Sequence, residues 1–171
     1  MRIGIFGGSF DPVHLGHVRL AGKMLKSSSL QKIYFVPVRR SPFKSKAPSA
    51  SAAHRLSMLR LALRGKPRME ISRCELRRPP PSYTAHTVKF FRKKFPRAEL
   101  FLVMGRDALR HFGKWRNAAE IRKECGLLPH ARIGGISSTD IRARAQSGRG
   151  LKGLVHPAVE RFVRRKGLYR A

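Results

Sequence analysis

Ile3-Gly4-Ile5-Phe6-Gly7-Gly8-Ser9-Phe10-Asp11-Pro12-Val13-His14-Leu15-Gly16-His17 is the stretch whose reading decides the fold. Ile3, Ile5 and Phe6 form a short apolar run that stops at paired glycines, the pattern of a strand buried in a parallel sheet as it enters a tight turn. Asp11 beside Pro12 reads as the N-cap of the helix that follows. Val13, Leu15, Val18, Leu20, Met24 and Leu25 then recur at broadly helical spacing, and Ser27 to Ser29 end the helix. Strand, glycine turn, helix is the opening of a βα unit, with a phosphate-sized gap at the turn.

The pattern repeats further along the chain. Ile33 to Val38 is a second apolar strand, and Ser41 to Ala53, rich in Ser, Pro and Lys, is a loop. Leu56, Leu59 and Leu63 make the stripe of the next helix, and Met69 to Leu76 is a third strand. Pro79, Pro80 and Pro81 exclude helix or central strand, while Val88, Phe91 and Phe95 mark a helix over Thr84 to Phe95. Leu100 to Met104 is a fourth strand, at most one more fits within Leu127 to Ile133, and helices cover Ile136 to Gln146 and Pro157 to Lys166. Alternating strands and helices of this kind predict a single α/β domain over residues 1–171, its mostly parallel sheet covered on both faces. Ligands of such sheets sit beyond the carboxyl ends of the strands, where the strand order reverses.

Composition bounds the function. The chain has 171 residues, 38 Lys+Arg against 9 Asp+Glu and a formal charge of +29. Its 42% hydrophobic content and ten Phe support a folded body rather than a disordered chain. No apolar run approaches the roughly 18 residues of a membrane span, and no signal-peptide core is evident, so a cytoplasmic protein is expected. Cys74 and Cys125 lack a Cys-x-x-Cys partner and read as reduced thiols. The charge fits either attraction to polyanions, RNA included, or a general basic bias.

Three segments carry chemistry. Gly7 to His17 places glycines, a helix start and two His, three residues apart on one face, at a strand-to-helix junction. Ile136-Ser137-Ser138-Thr139-Asp140-Ile141-Arg142 offers capping hydroxyls that expose helix N–H groups, with an arginine fork one turn on. Met104-Gly105-Arg106-Asp107-Ala108-Leu109 leads on to Phe112 and Trp115 straight after the fourth strand; an isolated Trp fits core packing as well as a ligand ring. The three Asp of the chain, Asp11, Asp107 and Asp140, fall one in each segment.

Together these strings resemble the nucleotidyltransferase superfamily with the His-x-Gly-His signature, and Gly-Gly-Ser-Phe-Asp-Pro-Val-His is similar to the nicotinate-nucleotide adenylyltransferase family. The resemblance implies a Rossmann-like, doubly wound sheet. It implies adenylyl transfer from ATP to nicotinate mononucleotide by in-line attack on the α-phosphorus, giving deamido-NAD and pyrophosphate. His14, His17 and Arg142 would stabilise the developing charge, and ATP would meet Gly7, Gly8, Ser9, Phe10, His17, Gly105, Asp107, Ile136, Ser137, Ser138, Thr139 and Arg142. Asp11, Lys44, Tyr83, Thr84 and Trp115 would serve the acceptor. Mg²⁺ would be held mainly by the ATP phosphates, with no protein-built metal site.

Phe43 stands where the family usually has a His, and Arg39, Arg40 or Lys46 are candidates to replace that contact. Only residues 116–135 separate Trp115 from Ile136, where family members generally carry two further strands, an insertion and an Arg-Pro segment. A sheet shortened at one side is therefore expected, with Arg132 standing in for the missing Arg. Other acceptors, nicotinamide mononucleotide or a pantetheine phosphate, remain open alternatives, as does a catalytically weak relative that binds RNA.

Overall fold

The computed structural model describes residues 1–43, 46–131 and 134–170. Five strands form one parallel sheet in the order β3-β2-β1-β4-β5: β1 Arg2–Gly8, β2 Lys32–Pro37, β3 Met69–Ile71, β4 Glu99–Gly105 and β5 Gly126–His130. The helices are α1 Leu15–Ser27, α2 Ala52–Leu63, α3 Thr84–Lys94, α4 Arg106–Arg110, α5 Ala118–Glu124, α6 Ser138–Gln146 and α7 Pro157–Arg165.

Period-two alternation along the three central strands sorts their side chains between two cores. Phe6, Ile33, Phe35 and Val103 face one core, closed by Leu20, Ala21, Met24 and Leu25 of α1, Met58 and Leu59 of α2, and Val159, Phe162 and Val163 of α7. Ile3, Ile5, Tyr34, Val36, Leu100, Leu102 and Met104 face the other, closed by Val88 and Phe91 of α3 and Ile121 of α5. Both faces are covered by helices, which is why these strands read as continuous apolar runs. Gly4 has a packing reason in this arrangement: a Cβ there would lie 2.8 Å from Leu30 Cδ1.

Several expectations are corrected. Asp11 is not a helix cap; α1 starts two residues after Val13 and is capped by the His14 ring, because Asp11 is drawn into a different set of bonds. The third strand stops at Ile71 instead of Leu76, since the following residues turn to bury Cys74 and Glu75. The helix expected from Ile136 begins at Ser138, with Ser137 as its cap. Between Trp115 and Ile136 the described residues hold one strand, β5, which pairs with β4 and forms the sheet's edge; α5, which precedes it, was not foreseen.

Phe35 is fully buried between α1 and α2 with its ring against Phe6 and Phe10. Phe35→Ala is expected to lower the unfolding free energy by about 3–5 kcal/mol, as read from urea denaturation.

Candidate active site

The strand order reverses at β1, whose two neighbours are β2 and β4, and the chain leaves β1 and β4 through Gly7-Gly8 and Gly105. A Cβ on Gly7 or on Gly105 would meet no atom within 4 Å, so both glycines front open space. Two cavities open there. One, of about 790 Å³, is lined by Gly7, His14, His17, Lys46, Ser137 and Arg142 among others. The other, of about 510 Å³, is lined by Gly8, Glu75, Tyr83, Thr84, Trp115 and Arg116 among others. Gly7, Ser9, Ser41, Phe43 and Gly105 belong to both walls, so the cavities adjoin across the ends of β1 and β4.

In the larger cavity the two His form a reciprocal cap. The His14 N–H donates to His17 Nδ1 (3.2 Å) and the His17 N–H to His14 Nδ1 (3.3 Å), and the rings stack with centroids 3.6 Å apart. An Nδ1 that accepts leaves the proton of a neutral imidazole on Nε2. Burial lowers the His14 pKa to about 4, and burial, with the neighbouring His14 and His130, takes His17 well below its ordinary value. Both rings are thus neutral Nε2–H donors near neutral pH. His17 also meets Phe10 edge-on, and Phe10 takes a positive φ of 47° to reach that position.

The C-terminal segment docks on the first motif. Arg142 Nη1 donates to the Asp11 carbonyl (2.8 Å) and Ser138 Oγ to the Pro12 carbonyl (2.9 Å), while the Ser137 hydroxyl caps α6 by accepting from the Asp140 N–H (3.1 Å). Asp11 is buried, and its carboxylate accepts from the Ser49 N–H (2.6 Å), the Ala50 N–H (3.0 Å) and Tyr169 Oη (2.8 Å). Beneath it lies buried Arg55, which donates to the carbonyls of Ser9 and Ala50.

The structure brings Gly7, Ser9, Phe10, His14, His17, Gly105, Ile136, Ser137, Ser138, Thr139 and Arg142 to the larger cavity, and Gly8, Tyr83, Thr84 and Trp115 to the smaller. Asp11 lines the cavity of the His pair rather than that of Tyr83 and Trp115, and its carboxylate oxygens are engaged by the protein itself. Asp107 is exposed in the first turn of α4 and borders neither cavity. Lys44 and Arg132 lie outside the described residues, while Lys46 lines the larger cavity. Sequence reasoning missed His130, which ends β5 in the larger cavity, 6.0 Å between centroids from Phe6. It also missed Arg116, whose guanidinium lies 4.8 Å over the Tyr83 ring, and Glu75. The position of His130 at the carboxyl end of a parallel strand was the available signal.

The lining of the larger cavity is chemically suited to anions. It gathers an arginine, a lysine, neutral N–H donors and the start of α1, and its one carboxylate is already satisfied. Among the described residues no three His, Cys, Asp or Glu side chains group to hold a metal ion. The smaller cavity is flatter in chemistry, with Trp115 5.6 Å between centroids from Phe43 and Tyr83 under its arginine, a setting for a planar ring.

An open parallel sheet with adjoining anion and ring pockets at its switch point defines a nucleotide-binding transferase class, and the cytidylyltransferase-like family model matches residues 5–144. A curated relative from Thermus thermophilus, named a probable nicotinate-nucleotide adenylyltransferase, is 40% identical over 99% of this chain and 100% of its own length. One of the same name from Methylacidiphilum infernorum is 37% identical over 98% and 92%. The chain belongs to the nicotinate-nucleotide adenylyltransferase family. Among solved structures, one from Vibrio parahaemolyticus shares the fold with a TM-score of 0.81 at 23% identity, covering 99% of this chain and 96% of that one. The Plasmodium falciparum nicotinic acid mononucleotide adenylyltransferase complexed with NaAD does so with a TM-score of 0.76 at 19% identity, covering 98% and 97%.

The neutral His pair links stability to pH. An unfolded His protonates near pH 6.5, whereas native His14 resists protonation down to about 4. Between those values the unfolded chain binds protons that the native one does not, so stability falls as pH drops through this window. His14→Asn, which keeps a capping oxygen but does not titrate, is expected to flatten the dependence of the urea midpoint on pH between about 6.5 and 4.

Proposed function

We propose that this protein transfers the adenylyl group of ATP to nicotinate mononucleotide, releasing pyrophosphate and forming deamido-NAD. The observation that carries this reading is the pair of adjoining cavities, cationic around the His pair and aromatic around Trp115, which share the glycine ends of β1 and β4. A dinucleotide product spans such a pair.

The chemistry asks little of a base, because the attacking phosphate oxygen of the mononucleotide is already ionised near neutral pH. That oxygen forms a bond to the α-phosphorus, the α-phosphorus bond to its bridging oxygen breaks, and pyrophosphate leaves with the electron pair. Positioning and charge stabilisation supply the rate. His14 and His17, with protons on Nε2, donate to phosphate oxygens without changing charge, and the start of α1 adds its N–H groups. Arg142 binds the departing β/γ-phosphates while its Nη1 bond to the Asp11 carbonyl holds it in place. Trp115, Tyr83 and Thr84 take the pyridine ring and its substituent. The donor set of the described residues does not fit a protein-held metal; Mg²⁺ would be held by the triphosphate itself and would screen its charge.

Pyrophosphate release by the purified protein with MgATP tests this, with nicotinate and nicotinamide mononucleotides offered in parallel. Preferential turnover of the nicotinate form, reduced about 10²–10³-fold in His17→Ala, is the expected result, and no turnover with either acceptor overturns the reading. Trp115→Ala is expected to raise the KM for the mononucleotide roughly 3- to 10-fold while leaving the KM for ATP within about twofold, measured by varying each substrate in turn.

A further inference from the structure

The smaller cavity contains a carboxyl group that the motifs leave unassigned. Glu75 sits in the turn after β3, is 6% exposed and forms part of the cavity wall with Tyr83, Thr84 and Trp115. Its Oε1 accepts from the Thr87 hydroxyl of α3 (2.6 Å), which fixes the carboxyl plane from one side. Oε2 is buried and receives no hydrogen bond of normal geometry from the described residues, although the Ser82 hydroxyl lies near enough to the carboxyl to favour its ionised form. Burying a carboxyl oxygen without a full hydrogen-bond partner is destabilising, and in a cavity wall a ligand that bonds to that oxygen offsets the cost.

We propose that Glu75 reads the ring substituent of the acceptor: it works as a carboxylic acid whose Oε2–H donates to a carboxylate on the pyridine ring. The inference rests on the acceptor reading given above and adds to it the residue that tells acid from amide.

The surroundings make Glu75 easier to protonate than a solvated glutamate. Burial holds the Glu75 carboxyl above the usual carboxylate range, opposed by the Thr87 and Ser82 hydroxyls and the Arg78 guanidinium. Cys74 adjoins it on the same turn, its thiol raised by burial, and Lys114 and Arg116 line the cavity from the segment before α5. A ligand carboxylate brought beside Glu75 disfavours its ionised form further, because two carboxylates sharing a site do not both stay charged. One proton then moves from solvent to Oε2 as the acid acceptor binds. An amide acceptor brings no second negative charge to the ring site and drives no such uptake.

Calorimetric titration of the intact protein with each mononucleotide, in buffers of different ionisation enthalpy at about pH 7.5, reads this proton directly. The two ligands share the same phosphate, so its contribution cancels in the comparison. The wild type is expected to take up more protons with the nicotinate than with the nicotinamide form, and in Glu75→Gln the difference is expected to vanish. KM for the nicotinate form should rise with pH in the wild type and stay flat in the variant. Thr87→Val, which removes a bond favouring the ionised carboxyl, should move the wild-type rise to higher pH. Equal proton uptake for the two ligands in the wild type, or a difference that persists in Glu75→Gln, overturns the role of Glu75 while leaving the acceptor reading intact. If the wild type neither binds nor turns over the nicotinate form, both fall together.

Discussion

The Asp11 carboxylate is the fastening on which the site depends. It gathers the Ser49 and Ala50 amides from the loop before α2 and the Tyr169 hydroxyl from beyond α7, and its own carbonyl takes Arg142 from α6. Three segments remote in sequence therefore meet on one residue of the turn after β1. A carboxylate accepting several N–H and O–H bonds in a buried setting is a strong and directional joint. The His pair, one turn further on, inherits its position from that joint and from the reciprocal ring-to-backbone bonds that start α1.

Much of this arrangement was legible in the residues. β1, β2 and β4 are apolar on both faces because α1, α2 and α7 cover one side and α3 and α5 the other, and that produces the uninterrupted runs from which the parallel sheet was read. The glycines, the His pair and the Ser-Ser-Thr segment announced their places because their local geometry is tied to a turn or a helix start. Asp11 misled because Asp before Pro is a sound local signal for a helix start, and nothing within a few residues reveals that its partners are Ser49, Ala50 and Tyr169. Glu75 and His130 were hidden for the same reason: a lone Glu in a turn and a lone His ending a short strand acquire meaning only when the sheet sets them against a cavity. Met69 to Leu76 read as one strand because hydrophobicity cannot distinguish a strand from a turn that buries Cys74.

The excess of positive charge takes a more definite form in the folded molecule. The acidic residues are few, and several are committed locally: Glu99 to Arg2, Glu120 to Lys89, Glu124 to Arg92, and Glu70 to Lys32. Among the described residues the larger cavity is lined by Lys46 and Arg142, and its Asp11 carboxylate is engaged by the protein, which leaves an excess of positive charge on its wall. The field of that charge raises the local concentration of a polyphosphate and falls away with salt.

The bonds that complete the site join residues 126, 131 and 158 positions apart in the chain. Closing spans of that length costs chain entropy that only the finished sheet and both helical layers repay, and folds rich in such contacts assemble slowly. No isolated βα fragment carries a working half of the site, since the turn after β1 is held in shape by α6 and by the segment after α7. A ligand seated against the His pair therefore stabilises, through the Asp11 turn, the α6 contact and the segment after α7 along with the site itself, and local opening at the chain's far end becomes rarer as the site fills.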